Sequence, residues 1–481
     1  MSSKIHWRLL AAALVHAFLG SSSFFSITFL NDLEPFIHNF TREWARRHYQ
    51  TELSDGSVVW VWGLLNSAAC LGALLSGVLI KYPLAVLGTK CTVMVLKNLV
   101  QISASTLTFI AIQIRSVELF FVGLLLTAYA VSLTFLAVVL MTECSPSAHR
   151  GFVSSLSFVG TQFFLLLSLT LGLRQLMGNE GLWPYYLTIV PVVFSLAHLL
   201  CSLLLPNSPK YLYITKENVQ EAEHSVQFYY GPETDVKQVF EQMEKEDKLV
   251  NSVKTVGYLE ILRTRHLAWP LWLCAAAQQA PLACGATVAG FYSTMILQQL
   301  NVEDRLAPLL TLLLLFVPSV IATVISVSLV DRLGRRVFLL GGFFLGILSN
   351  LSLFVAFLCT DKIGPILACL SLMIGSFAYN VGPNFLAAML PGELAPQASR
   401  PATAEFTLGA AEVPNLIVVL LFPTLQRLIG AFTVLPLLLI AIGLVIFFYK
   451  YLPETKGRTV DEIGMRWKEA KTSNRVFVSR F

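Results

Sequence analysis

The chain has 481 residues, 55% of them hydrophobic and 13% charged, with a net charge of +5 and a mean hydropathy of +0.68. That balance excludes a soluble globular fold of this length, and the small net charge excludes a protein that holds nucleic acid by a strongly basic surface. Lipid is the solvent that this composition fits, so the bilayer is the first expected partner.

A spanning helix needs roughly 20 mostly apolar residues to cross about 30 Å of hydrocarbon, because no backbone polar group can be left unpaired there. Apolar runs of that length fall at 9–30, 57–80, 91–113, 118–142, 152–174 and 183–205, and again at 267–298, 306–330, 337–358, 364–391, 401–426 and 431–451. The expected fold class is an all-α membrane protein of twelve transmembrane helices in two six-helix bundles, residues 1–206 and 266–452, with a helical linker at 207–265 and a tail at 453–481.

The first run has a competing reading, since Lys4 and Arg8 precede it and Gly20-Ser21-Ser22-Ser23 follows, as in a cleaved secretory leader. Cleavage would leave eleven spans, and the even six-plus-six count favours an uncleaved helix. The loop after it carries Arg42, Arg46 and Arg47 beside Asp32, Glu34, Glu43, Glu52 and Asp55, and the triplet Asn39-Phe40-Thr41, a glycosylation acceptor. With the N-terminus cytosolic, about 26 of the 34 Lys and Arg fall on the cytosolic side, the positive-inside bias. Both termini are then cytosolic, Asn39 is outside, and the plasma membrane is the expected compartment.

The linker is the one long polar stretch. Apolar residues at Val236, Val239, Phe240 and Met243 recur at helical spacing, which favours a packed helical module over a disordered connection. The eight cysteines form no CxxC pair, so neither a disulfide framework nor a metal site is expected. No phosphate-binding loop, GxSxG turn or HExxH helix is present, which argues against an enzyme and gives no reason to expect a cofactor.

Short polar motifs mark the cytosolic helix ends: "MTECSPSAHRG" after the fourth run, "PNSPKYL" after the sixth, "DRLGRR" after the eighth, "PGELAPQASRP" after the tenth and "PETKGRT" after the twelfth. Glu143 with Arg150 repeats as Glu393 with Arg400, so the halves read as parallel structural repeats. These motifs, in this order, resemble the sugar porter branch of the major facilitator superfamily, and within it the animal facilitative glucose transporters; "GLWP", "GFYST" and "NVGPN" extend the resemblance along the chain.

The resemblance implies an inner gate of charged pairs at Glu143, Arg150, Asp331, Arg335, Arg336, Glu393, Arg400 and Glu454. The first half departs from the pattern, with "KYPLAVLGTK" after the second run, Leu124 for an Arg and Asn207 for a Glu. Exposed pairs are worth about 0–1 kcal/mol each, and about 1.4 kcal/mol shifts an equilibrium tenfold, so a thinned gate is expected to disfavour the outward-open state.

The same resemblance implies a sugar site, yet most of its usual ligands are replaced: Phe158, Ala388 and Ala411 stand where polar or indole side chains are expected. The candidates that remain are Gln278, Gln279, Thr287, Ser319 and Asn380, with Glu412 as an added carboxylate in the eleventh run. An acidic residue inside a bilayer is a functional-site candidate for proton uptake or cation binding. Glu405 lies seven residues earlier, near Arg400. Pro281, Gly285, Gly382, Pro383 and Pro391 interrupt the seventh and tenth runs where a gating helix would bend. The leading expectation is facilitative transport of a hexose such as glucose or fructose; a proton-coupled or other-solute carrier using Glu412, or a non-transporting sensor, is the alternative. No feature of the chain fixes its oligomeric state.

Overall fold

A computed structural model describes residues 5–25, 29–146, 148–251, 256–359 and 362–455, without the side chains of 155, 158, 249–251, 265, 266, 327, 328, 330–333 and 408. The described elements are helices joined by short turns, and contacts divide them into two units, Met1–Ser54 with Ala68–Ser252, and Asp55–Ser67 with Val253–Phe481.

Among the described residues nine helical runs are long and apolar enough to cross a membrane. They cover ten of the twelve expected spans, because the run Arg400–Tyr451 holds two helices, Arg400–Ile429 and Leu435–Tyr451, joined by a 3-10 turn at Gly430. The first and seventh expected spans are interrupted helices. The first runs from Trp7 to Leu14 as an α-helix, widens to a π-turn at Val15–Leu19 and tightens to a 3-10 turn at Gly20–Phe24. The seventh is divided into Arg265–Ala277, Ala280–Ala283 and Ala286–Gln299. Large apolar side chains such as Leu200, Leu204, Val324 and Leu439 are exposed on these helices, as lipid-facing positions require.

In the first unit, small residues let helices approach closely: Gly160 of the helix Arg150–Leu171 sits on the backbone carbonyl of Ala17, where any Cβ would collide. The outer helix Glu34–Tyr49 is fastened to the start of the helix Val117–Thr134, since Trp44 and Tyr49 each donate to the Glu118 carboxylate at 3.0 Å. The linker helices Val219–Tyr230 and Val236–Asn251 close a small core of Leu212, Ala222, Val226, Val239, Phe240 and Met243, and the Tyr213 ring stacks on Phe240 at 4.1 Å.

The second unit has its own core, in which Leu273, Ala283, Phe338, Phe343, Leu386 and Ala441 are buried together and Phe343 stacks on Phe448 at 5.4 Å. Its helices Ile363–Asn380 and Pro383–Leu394 form a broken tenth span.

Candidate functional site

The second unit carries a row of polar side chains along the helix Ile363–Asn380 and its continuation. Ser376, Asn380 and Asn384 are spaced four apart, so they share one face. Asn384 donates to Asn380 Oδ1 at 3.1 Å, Asn380 donates to Ser319 Oγ at 3.1 Å, and the Ser319 and Ser376 hydroxyls are 2.7 Å apart. Ser319 follows Pro318 inside the helix Ala307–Leu333, and its hydroxyl also donates to the Leu315 carbonyl at 2.5 Å.

A second pair joins the seventh and eleventh spans, which are distant in sequence. Thr287 donates to Asn415 Oδ1 at 2.7 Å, and Gln279 donates to the Ala410 carbonyl at 2.8 Å. Gln278 reaches the Ala387 carbonyl at 3.4 Å. Ser319 and Asn380 therefore belong to one network, Thr287 to another, and the two glutamines bind backbone of the tenth and eleventh spans. Glu412 is half-buried and within electrostatic reach of the Tyr379 hydroxyl, so the added carboxylate faces the tenth span within its own bundle. Glu405 instead takes the Tyr258 hydroxyl as its partner.

Of the five residues expected to bend the seventh and tenth spans, four stand at or beside a helix end and one lies within a helix. Pro281 opens the four-residue helix Ala280–Ala283, and Gly285 then adopts φ +74, a left-handed conformation that a side chain resists. Gly382 separates the two tenth-span helices with its α-carbon against Phe338, Pro383 begins the second of them, and Pro391 lies inside it.

At the end of the second unit, Arg335 Nε donates to Glu393 Oε1 at 3.2 Å, and Thr455 donates to the other oxygen of the same carboxylate. The Glu454 carboxylate accepts the backbone N–H groups of Arg335 and Arg336 at 3.0 and 3.2 Å, which caps the helix Arg335–Leu358. Arg336 also donates to the Tyr449 carbonyl at 2.7 Å. Arg400 donates to the Ala395 carbonyl at 3.4 Å rather than to a carboxylate, and Asp331 lies outside the described side chains.

In the first unit, Arg150 meets Glu246 of the linker at 3.1 Å, and Lys210 lies 3.9 Å from the same carboxylate. Glu143 is half-buried near Ser208 and Lys210. Asn39 is exposed on the outer helix, whereas Thr41 of the same triplet is buried and donates to the Ile37 carbonyl at 2.8 Å.

Sequence reasoning overlooked Ser376, Asn415 and Glu246. The spacing of Ser376, Asn380 and Asn384 was the available signal for the first; no local pattern marks the other two, since their partners are over a hundred and about a hundred residues away respectively.

The sequence model described as "Sugar (and other) transporter" matches residues 12–467. Human "Solute carrier family 2, facilitated glucose transporter member 9" is 29% identical over 96% of this chain and 85% of its own length. Member 3 of Mus musculus is 28% identical over 95% of this chain and 92% of its own. Among solved structures, the inward-open xylose transporter XylE from E. coli has a TM-score of 0.72 at 18% identity, covering 95% of this chain and 100% of that one.

Proposed function

The chain belongs to the sugar transporter family, and from that membership we propose that it carries a sugar-like solute through the membrane by alternating access, coupled to protons through Glu412. The family fold moves a small solute and does not transform it. Twelve crossings with both termini cytosolic, in the plasma membrane, complete the reading.

The observation that carries proton coupling is the carboxylate itself. Glu412 is half-buried in a helix among apolar neighbours and within reach of the Tyr379 hydroxyl, a setting in which a carboxylate is retained for function or paired. The solute reading rests on the polar row of Ser319, Ser376 and Asn380 with Gln279, which offers hydroxyl and amide groups of the kind that exchange paired hydrogen bonds with a polyol. Similar solved proteins include one titled a proton:xylose symporter.

Facilitative hexose uniport is the second reading, favoured by relatives whose names describe facilitated glucose transport. Uptake of D-glucose, D-fructose and D-xylose into proteoliposomes, with and without an inward proton gradient, separates the two. Coupling predicts that a gradient drives accumulation and that Glu412→Gln removes the drive while leaving exchange. Gradient-independent uptake in both proteins would establish uniport. The charged pairs of both units are proposed as the inner gate, and Pro281, Gly285, Gly382, Pro383 and Pro391 as the bends. An N-linked glycan is proposed at Asn39, with loss of an electrophoretic shift in Asn39→Gln as its check.

A further inference from the structure

The first unit encloses a chain of titratable groups that the solute reading does not use. Lys97, at the start of the helix Lys97–Ile114, is fully buried. Its Nζ donates to the Gly20 carbonyl at 2.7 Å and to Asn98 Oδ1 at 3.3 Å, and no carboxylate of the described residues is among its partners. The Asn98 amide lies 3.0 Å from Nδ1 of His198 on the helix Trp183–Leu203. His198 Nε2 lies 3.1 Å from Nδ1 of His16, and the two rings meet edge to face at 5.1 Å. His16 and His198 are 1% and 0% exposed, and His16 Nε2 is buried with no hydrogen-bond partner among the described residues.

The chain ends where the first helix loses its regular form. His16 lies in the π-turn and Gly20 opens the 3-10 turn, so the carbonyl that Lys97 holds belongs to the irregular backbone of the first helix. Irregular turns of this kind survive only where neighbours re-satisfy the freed groups. Lys97 is a neighbour that fastens one carbonyl of this segment.

An ammonium without a carboxylate partner is costly in a dry interior, yet its charge-assisted bonds are the stronger ones, so a neutral amine holds the Gly20 carbonyl and the Asn98 amide oxygen more weakly. Other charged and titratable groups do not offset it. Lys90 is the remaining cation in electrostatic reach of His16 and is itself bound to the Leu205 carbonyl. The helix Trp7–Leu14 brings Arg8, which lies over the Trp7 and Phe228 rings; Arg150–Leu171 brings only Arg150, on Glu246; Val117–Thr134 brings Glu118, held by Trp44, Tyr49 and Ser116, and Tyr129; Trp183–Leu203 adds Tyr185, Cys201 and Tyr186, which donates to the Ser168 carbonyl and has the buried Asp32 in electrostatic reach.

We propose that Lys97, Asn98, His198 and His16 form one proton-binding site, and that its occupancy sets whether the irregular end of the first helix stays fixed to the helices of Lys97 and His198. Loading forms one N–H bond on a Lys97 or imidazole nitrogen with a proton drawn from water; release returns it. This site is separate from Glu412 and does not depend on the solute.

Amide hydrogen exchange of the full-length protein in nanodiscs, followed from pH 6 to pH 9 and normalised for the chemical rate, tests it. The wild type is expected to lose at least tenfold in protection over residues 7–25 in one proton-dependent step, while the helix Arg335–Leu358 stays flat. Lys97→Arg keeps the cation and should hold protection high throughout; Lys97→Met removes it and should hold protection low throughout. A flat wild-type profile overturns the proposal whether or not the variants fold, and so does an unchanged step in a folded Lys97→Met protein. The readout needs no solute, so its failure leaves the transport reading standing, and failed transport leaves the proton site standing.

Discussion

Arg150 Nη1 lies 3.1 Å from Glu246 Oε1, so the arginine that follows the fourth span is held by the linker helix. Both side chains are more than a third exposed, 37% and 41%, which places the pair among the weaker kind. Glu246→Gln is expected to cost no more than about 1 kcal/mol, a fall of about 2–4 °C in melting temperature for a unit of this size. Its larger effect should be on transport, where release of Arg150 changes the counterflow rate severalfold. An equal loss from Glu241→Gln, an acidic neighbour on the same helix, would remove the pair from the account.

Glu454 should matter more than its position at the chain's described end suggests. Its carboxylate accepts two backbone N–H groups at the start of the helix Arg335–Leu358. Glu454→Ala leaves both donors without it and is expected to cost about 1–2 kcal/mol, with Glu454→Gln recovering part. Thermal unfolding of the two variants in the same detergent checks the order.

Gly285 separates two helices of the seventh span at φ +74, and a Cβ there would lie 3.2 Å from Asn350 Oδ1. Gly285→Ala is expected to destabilise the protein by about 1–2 kcal/mol, because an L-residue resists that backbone conformation. Counterflow should slow as well if this break bends in the cycle. A variant with unchanged melting temperature and unchanged rate would show that the segment tolerates a side chain.

Tyr230 links the linker to the first unit, and burial pushes its hydroxyl up to about 12 despite the nearby Arg150. Its folded value lies above its unfolded one, so its contribution is complete below about pH 10 and is lost as pH rises from about 10 toward 12. Absorbance titration should find one tyrosine ionising late that is missing from Tyr230→Phe, and the stability of the variant should fall less steeply over that window.

Much of the architecture was legible because lipid imposes a simple rule on long helices. Spans such as 118–142 and 337–358 follow from apolar length alone and correspond to Val117–Glu143 and Arg335–Leu358. The first and seventh runs are as apolar, yet they fold as interrupted helices; Pro281 and Gly285 announce the seventh break, whereas no proline or isolated glycine announces the π-turn at Val15. The site was legible where partners are close in sequence, as in Asn380 and Asn384, and hidden where folding joins distant positions, as in Thr287 with Asn415. Lys97 is legible as one lysine inside an apolar run, whereas its partners Gly20 and His198 are far off in sequence.

Counterflow in proteoliposomes tests the central claim most directly: vesicles loaded with unlabelled D-glucose, D-fructose or D-xylose, and the same labelled sugar outside. Transport by alternating access predicts a transient accumulation of label with at least one sugar, abolished when the internal sugar is omitted. Saturable binding of those sugars without any overshoot would contradict transport and leave a sensor built on a transporter fold.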